Sequence, residues 1–130
     1  MIEKTESTGS ESTLGRAFAE ALGHTDFDQV MTLLHPEIDF RGLTPGRAWE
    51  ASGAQELVED VLSRWFGGSN ELERVISIET DSFADRERVA YRLHGRNQDG
   101  PFIVEQQVYY SERDGRIDWM RVLCSGLRAR

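Results

Sequence analysis

The sequence predicts an α+β domain in which three amphipathic helices come first and antiparallel strands follow, forming a sheet that curves around the helices. Two observations support this class. Apolar residues recur at helical spacing in three segments before residue 66, and beyond it they alternate with polar residues between short turns. The longest alternating segments are 104–110 and 117–127, joined by Arg113-Asp114-Gly115-Arg116. Strands of this length with one apolar face need a covering layer, which the helices supply.

The first helix is predicted over residues 14–22, where Leu, Ala and Phe side chains recur at helical spacing. Ser12 or Thr13 can cap its start, and Gly23 stands where a left-handed C-cap belongs. Residues 1–11 hold too few apolar groups to offset the entropy of ordering them. We therefore expect a disordered tail ahead of the first helix.

The second and third helices each begin with the spacing of a capping box, in which a polar residue is followed three positions later by Glu or Gln. Asp26 and Gln29 begin the second helix, which ends before Pro36 because a residue that precedes proline avoids the helical conformation. Ser52 and Gln55 begin the third helix, whose apolar stripe continues for another three turns.

A short strand and a loop are predicted between the second and third helices. Residues 38–41 read as the strand, and the turn formers from Gly42 to Gly46 predict a loop that carries Trp49. A tryptophan on such a loop is a candidate lid for an underlying pocket.

The rest of the chain is predicted as four antiparallel strands in a meander, because short turn-rich segments separate the alternating stretches. The sequence contains no internal repeat and no linker after residue 12, so residues 12–130 are expected to form a single domain. The four predicted strands are 72–80, 88–96, 102–111 and 116–127.

The turn of the last hairpin decides which side chains face the interior, because a slip of one residue moves every side chain to the other face. A two-residue Asp114-Gly115 loop pairs Tyr110 with Trp119, whereas a three-residue loop with a left-handed Gly115 pairs Tyr110 with Asp118. We favour the second register because its inner face is more consistently apolar. That face contains Val104, Gln106, Val108, Tyr110, Met120, Val122 and Cys124.

The opposite face of this hairpin is amphipathic rather than fully polar, which is typical of a half-buried subunit interface. We therefore expect a homodimer through the outer face of the sheet, although isolated exposed apolar side chains are an alternative interpretation. The residues of this face are Glu105, Gln107, Tyr109, Trp119, Arg121 and Leu123.

Composition excludes several classes of site and partner. Cys124 is the only cysteine, and one Cys with three His gives no zinc-ligand pattern, so we expect neither a metal nor a bound cofactor. A net charge of −8 disfavours nucleic acid and anionic lipid surfaces. No segment approaches the ~18 consecutive apolar residues of a membrane-spanning helix, and no basic, apolar leader is present. We expect a cytoplasmic protein.

The element order and several local patterns resemble the nuclear transport factor 2-like superfamily, and within it the SnoaL-like domains. The patterns are the strand with Asp39-Phe40-Arg41, the segment Gly46-Arg47-Ala48-Trp49-Glu50, the helix that begins Ser52-Gly53-Ala54-Gln55, and the hairpin Asp114-Gly115-Arg116-Ile117. The resemblance implies a cone-shaped α+β barrel with a pocket between helices and sheet, and frequent dimers through the outer sheet face. The superfamily that the chain resembles includes polyketide cyclases, isomerases, epoxide hydrolases and proteins without activity.

The chain departs from the catalytic patterns that this resemblance implies. Arg41 stands near the place of the isomerases' general-base aspartate, and an arginine cannot serve as that base. Leu93, Gly95 and Val122 stand where the epoxide hydrolases have their Arg-x-Asp and second aspartate. His94 and Asp118 partly match the histidine and the acid of the cyclases. The resemblance to the cyclases therefore implies a catalytic role for these two residues.

The predicted ligand site is an apolar cavity. A few polar side chains reach into it, and larger apolar residues form its walls. If Tyr91 points inward, it can donate to a ligand carbonyl together with Gln106 and Tyr110, although buried tyrosines often have only structural partners. Arg41 can hold a carboxylate or pair with Asp39. The wall residues are Trp49, Trp65, Val108, Met120 and Val122.

The titrating candidates are Asp118, His94 and Asp39, each of which also has a purely structural reading. The expected function is a small-molecule pocket protein for an apolar or polycyclic ligand. It is either a cofactor-independent polyketide cyclase, isomerase or related acid/base enzyme acting on an apolar carbonyl compound, or a non-catalytic ligand-binding or dimerisation module of the same fold.

Overall fold

The fold is described from a computed structural model that covers the backbone of residues 6–130 and the side chains from residue 14 onward. The first helix, α1, spans Glu6–Gly23 and so begins before the predicted cap at Ser12 or Thr13. Residues 6–11 of the predicted tail are the first turns of this helix, and residues 1–5 lie outside the described residues.

The end of α1 differs from the predicted glycine C-cap. The left-handed residue is Thr25, with a φ of 55°, and its N–H donates to the carbonyl of Leu22 at 2.9 Å. Gly23 has a different role, because a Cβ built at this position would lie 2.3 Å from Cγ2 of Val75. The glycine is therefore needed for the close approach of the helix to the sheet.

The second helix, α2, spans Phe27–Leu33, and its predicted cap is confirmed, since Oδ1 of Asp26 accepts from the N–H of Gln29 at 3.1 Å. The strand that follows, β1, spans Leu34–Thr44 and is much longer than predicted. It turns back into β2, Arg47–Ser52, through a tight turn in which Gly46 has a φ of 79°. The predicted loop is wrong, and Trp49 lies on a strand rather than on a loop.

The third helix, α3, consists of the α-helical turn Ala54–Glu56, the π-helical segment Leu57–Leu62 and the α-helical turn Ser63–Trp65. Its N-cap is Gly53, and the Ser52 N–H donates to Oε1 of Glu56, so the predicted pairing of Ser52 with Gln55 is wrong.

The buried residues explain the unusual winding of α3. They fall in adjacent pairs every four residues, and this spacing drifts by about 40° per turn around an α-helix. A wider π-helical turn offsets the drift, which keeps the whole stripe against the core. The pairs are Leu57 with Val58, Val61 with Leu62, and Trp65 with Phe66.

Five further strands complete the sheet, and their turns lie where the sequence predicts them. The strand order is β2-β1-β6-β5-β4-β3, open between β2 and β3, with β7 beside β5. β1 and β6 are parallel and the other pairs are antiparallel, which confirms the predicted α+β class. The strands are β3 Glu71–Phe83, β4 Arg86–Asn97, β5 Gly100–Arg113, β6 Arg116–Cys124 and β7 Arg128–Ala129.

The last hairpin has neither of the two predicted registers. Its turn is the two-residue Asp114-Gly115 loop, with φ values of 56° and 76°. A bulge that leaves Asp118 unpaired then brings Tyr110 opposite Met120. This pairing differs by two residues from the register we favoured, and a shift of two leaves each side chain on the same face. The predicted inner residues Val104, Gln106, Val108, Tyr110, Met120 and Val122 are all buried.

The core lies between the helices and the inner face of the sheet. On β4 the side chains of Val89, Tyr91 and Leu93 are 0%, 2% and 0% exposed, as the predicted alternation requires. Register shifts in β3 near Leu72 and Val75 mark bulges that bend the sheet toward the helices. Among the described residues, no helix has the length and apolar composition to cross a membrane.

Candidate functional site

A cavity of about 220 Å³ opens where the carboxyl ends of the parallel strands β1 and β6 meet the end of α3. We call it the mouth pocket. Its walls are mostly apolar and aromatic, with two indole rings on one side. The lining residues are Thr44, Trp49, Arg64, Trp65, Phe66, Asn70, Val104, Cys124, Gly126 and Leu127.

Trp49 is held rigidly at the rim of the mouth pocket. Its indole N–H donates to Oγ1 of Thr44 at 2.9 Å, and the guanidinium of Arg47 stacks 3.6 Å from the ring centroid. The ring meets the indole of Trp65 edge-on, with centroids 5.8 Å apart. A tryptophan fixed by a hydrogen bond, a cation–π contact and a ring contact forms a wall rather than a mobile lid.

Trp65 forms the inner wall of the mouth pocket and has an unusual polar group. The residue is only 9% exposed, and its Nε1 is buried without a hydrogen-bond partner in the described part of the chain. Gly42 makes room for the ring, since a Cβ there would lie 3.3 Å from Cη2 of Trp65. The last turn of α3 and a side-chain-free position on β1 therefore place a residue with a buried, unused donor in the wall of this site.

A second polar pair lies in the core beside the mouth pocket. The hydroxyl of Tyr91 donates to Oε1 of Gln106 at 2.6 Å, and both residues are 2% exposed. Nε2 of Gln106 is buried without a partner in the described residues. Burial raises the pKa of Tyr91 well above its usual value, and the nearby thiol of Cys124 raises it further. Tyr91 is therefore neutral at physiological pH and acts as a hydrogen-bonding group.

The register places this pair directly next to the mouth pocket. Gln106 is the Cα partner of Cys124 across β5 and β6, and Cys124 lines the pocket. Val104, the neighbour of Gln106 on the same face of β5, also lines it. Gln106 therefore adjoins two lining residues of the mouth pocket without being one of them.

The predicted wall residues do not share one cavity. Trp49 and Trp65 line the mouth pocket, whereas Val108 and Met120 are completely buried in the core and are not among its lining residues. Tyr110 packs on α1 at Gly15, where a Cβ would lie 2.6 Å from its hydroxyl oxygen. The structure therefore places these three inner residues in the packing of the helices against the sheet.

Arg41 and Val122 line a different cavity, of about 360 Å³, which also borders Trp49 and includes the exposed Leu43 and Leu123. The predicted contact of Arg41 with Asp39 is wrong. Asp39 instead forms a salt bridge with Arg121 of β6, with Oδ1 3.3 Å from the guanidinium.

The three titrating candidates lie apart from the mouth pocket. His94 projects from the outer side of β4, and its pKa is lowered by desolvation and by the charges of Arg130 and Arg74, against an opposing effect of Glu73. Asp39 is exposed on β1.

Asp118 is in the β-bulge at the far end of β6 from Cys124, with its Oδ2 3.5 Å from Nε of Arg113. Its side chain is 25% exposed, and its Oδ1 is buried without a hydrogen-bond partner among the described residues. The described residues contain no cluster of three or more His, Cys, Asp or Glu that could hold a metal ion.

Comparisons with known proteins identify the fold. No family model and no curated protein matches the sequence. Among solved structures, the chain is similar to a candidate polyketide cyclase of Xanthomonas campestris pv. campestris, with 18% identity, coverage of 89% of this chain and 90% of that chain, and a TM-score of 0.70. A candidate isomerase of Bacillus subtilis gives 15% identity, coverage of 95% and 90%, and a TM-score of 0.74.

An LEH-like epoxide hydrolase of M. tuberculosis gives 19% identity, coverage of 92% of this chain and 85% of that chain, and a TM-score of 0.65. The chain has the nuclear transport factor 2-like fold. The SnoaL-like resemblance of the sequence thus predicted the architecture correctly, and at these identities the likeness concerns the fold alone.

In this version of the nuclear transport factor 2-like fold, sequence reasoning missed several residues of the mouth pocket. Four lining residues were not predicted as site residues: Arg64, Phe66, Asn70 and Leu127. One signal was available, because Trp65 and Phe66 stand directly before the Gly67-Gly68 break at the end of α3. Ligand pockets are lined mostly by apolar and aromatic side chains, so two adjacent bulky aromatics at a chain break are candidates for a pocket wall.

Proposed function

We propose that this protein binds a compact, apolar small molecule with a hydrogen-bond acceptor in the mouth pocket, without catalysing acid–base chemistry on it. The observation that supports the proposal is a mostly apolar, aromatic pocket with one wall formed by Trp65, whose buried Nε1 has no partner among the described residues. A second such donor, Nε2 of Gln106, belongs to a strand neighbour of the lining residues Val104 and Cys124. Apolar walls with a few convergent polar groups are typical of ligand sites.

The energetics favour a ligand acceptor at these donors. A buried donor without a partner costs about 1–3 kcal/mol, and two such groups represent a large fraction of the stability of a domain of this size. An oxygen acceptor on a bound molecule would satisfy one or both donors, and the rings of Trp49 and Trp65 would contact its apolar part. Ligand binding is therefore expected to stabilise the fold.

The absence of an acid or base at the mouth pocket favours binding over catalysis. Its described lining includes no Asp, Glu or His, and the predicted candidates Asp118, His94 and Asp39 lie elsewhere. Tyr91 stays protonated at neutral pH and cannot serve as a general base there. The alternative function is a cofactor-independent enzyme on an apolar carbonyl compound, which the names of the similar structures support.

Thermal-shift screening with ketones, steroids and polyketide-like aromatics tests the proposal. A ligand at ~100 times its dissociation constant should stabilise the protein by about 2.7 kcal/mol. Trp65→Phe keeps an aromatic wall but removes the donor, so it should weaken binding about fivefold, the equivalent of a hydrogen bond of about 1 kcal/mol. Trp119→Phe is the matched control, because it makes the same substitution at an indole that contacts Arg86 and Arg121 and is not among the lining residues.

Two results would contradict the proposal. One is the absence of any stabilising compound in a broad apolar library. The other is chemical turnover of a bound compound that disappears in Asp118→Asn or His94→Ala, since this result would assign the chain to the enzyme alternative.

A further inference from the structure

The described lining of the mouth pocket carries one positive charge, although the whole protein is strongly negative. Among the described lining residues, Arg64 is the only charged one and no Asp or Glu is present. The net charge of the chain is −8. A lone cation at an aromatic pocket in such a protein concentrates anions locally while the surrounding surface repels them.

The remaining polar side chains of the pocket are already engaged. Oγ1 of Thr44 accepts from the indole of Trp49. The amide of Asn70 donates to the carbonyl of Trp65 at 3.2 Å, and its oxygen accepts from Asn97 at 3.0 Å. The sulfur of Cys124 faces the N–H of Gly126 at 3.4 Å. The side-chain oxygens of Thr44 and Asn70 thus each already accept one hydrogen bond.

The groups left over are both donors. The guanidinium of Arg64 forms no ion pair with a described side chain, and Nε1 of Trp65 has no hydrogen-bond partner in the part of the chain that the structure describes. Both residues line the mouth pocket, Arg64 with an exposed side chain and Trp65 with its Nε1 buried. A guanidinium fork and a neutral N–H together suit a planar oxyanion better than a neutral carbonyl.

Resting on the proposed function, we infer that the ligand class is a carboxylate attached to a flat apolar ring system. The carboxylate is recognised by Arg64, with the indole N–H of Trp65 as a second donor, and the rings contact the aromatic walls. Arg64 is exposed at the rim, so its contribution is sensitive to salt, whereas the contribution of the buried indole is not.

The test compares 2-naphthoate with its neutral isostere 2-naphthamide, by calorimetry and by the indole N–H signals in NMR spectra of the full chain. The naphthoate is expected to bind about tenfold more tightly than the amide in low salt, and this preference should shrink as salt is added. The Trp65 signal, assigned with Trp65→Phe, should move on binding. Arg64→Gln should abolish the preference.

Arg116→Gln is the matched control, because it removes the same charge from an exposed position in the turn of the last hairpin, at the opposite end of β6 from the pocket. The preference should survive in this variant. Equal affinity for the two probes, or a preference that persists in Arg64→Gln, would overturn the inference while the proposed function stands. Binding of neither probe, with no response to other apolar compounds, would remove both.

Discussion

The contact of Tyr91 with Gln106 is unusual at the level of single residues, because it places two polar side chains in an otherwise apolar core. The hydroxyl and Oε1 satisfy each other, but Nε2 of Gln106 does not have a described partner. Half-satisfied polar pairs are less favourable than either a complete network or an apolar replacement. This pair therefore reduces the stability of the protein, which is consistent with a role in binding rather than in folding.

Tyr91→Phe should destabilise the protein by about 1–3 kcal/mol, because it strands Oε1 of Gln106 in addition to the unpartnered Nε2. The double variant Tyr91→Phe/Gln106→Leu should recover most of this loss, since both partners are then apolar. Urea unfolding measures both free energies. A double variant that is less stable than the single one would show that Gln106 has a partner the structure does not describe.

The raised pKa of Tyr91 also predicts how the free energy of unfolding changes at alkaline pH. Its folded pKa is raised by burial above the value near 10 of an unfolded chain, so from about pH 10 upward the unfolded chain releases this proton while the folded chain keeps it. The contribution of Tyr91 to the free energy of unfolding is complete below pH 10 and falls above it, by up to about 1.4 kcal/mol per pH unit.

Tyr91→Phe should flatten the decline of the unfolding free energy between pH 10 and pH 11, as measured by urea titration at each pH. Tyr109→Phe is the comparison variant, because Tyr109 lies on the outer face of β5 and is half-buried. An equal flattening in both variants would mean that burial does not govern the ionisation of Tyr91.

At the scale of elements, the contact of α1 with β3 depends on Gly23. Replacing a helical glycine by alanine usually stabilises a helix by about 0.5–1 kcal/mol. Gly23→Ala should instead destabilise the protein by about 1–3 kcal/mol, because the new Cβ would lie 2.3 Å from Cγ2 of Val75. Thermal unfolding with circular dichroism measures the change.

Val75→Ala provides the control for this contact. It removes the methyl groups that the new Cβ would meet, so Gly23→Ala should cost much less in the Val75→Ala background than in the wild type. If the two costs are equal, the glycine is required for the end of α1 and not for its approach to the sheet.

The sequence predicted the three helices, the four long strands after them and the buried face of those strands, because alternation and helical spacing are local signals; it did not predict β2 or β7. The alternation correctly predicted the inward-facing residues of β4 and β5, including Tyr91, Gln106 and Val108. It did not predict the exact pairing of the last hairpin, because the bulge at Asp118 adds a residue that no local pattern marks. Trp49 was placed on a loop because a proline-glycine turn inside a hairpin resembles a longer connection.

The site was harder to predict than the fold, because its residues converge from distant segments. Asp39 pairs with Arg121 rather than with its near neighbour Arg41, since the parallel contact of β1 with β6 joins parts of the chain 82 residues apart. Likewise, Arg64 and Leu127 share the mouth pocket only through the end of β6. Contacts of this kind are set by topology and leave no trace in sequence spacing.

At the scale of the whole molecule, the outer face of the sheet retains apolar and aromatic surface that the described chain does not cover. Leu43, Phe83 and Leu123 are 53%, 64% and 49% exposed. The ring of Trp119 lies between the guanidinium groups of Arg86 and Arg121, at 3.8 and 4.4 Å from its centroid. Aromatic and arginine side chains are enriched in the centres of protein interfaces.

We therefore propose that two copies of the chain associate through this face, as the amphipathic pattern of the last hairpin predicts. A two-fold symmetric interface would bury the same patch on both copies, and a stable one needs about 800 Å² per partner. Analytical ultracentrifugation should show a dimer at micromolar concentration. Leu123→Asp should raise its dissociation constant at least tenfold, because the new carboxylate would be desolvated at the contact.

Gln98→Asp separates the effect of position from that of charge. It also adds one negative charge, but to an exposed position in the turn between β4 and β5. The dimer should persist in this variant, and both variants should keep the circular dichroism spectrum of the wild type. Two results would contradict the proposed dimer: a wild-type chain that is monomeric at high micromolar concentration, or a dimer that survives Leu123→Asp unchanged. Either result would show that the exposed leucines are isolated surface groups. The cavity lined by Arg41 and Val122 would then stay open to solvent.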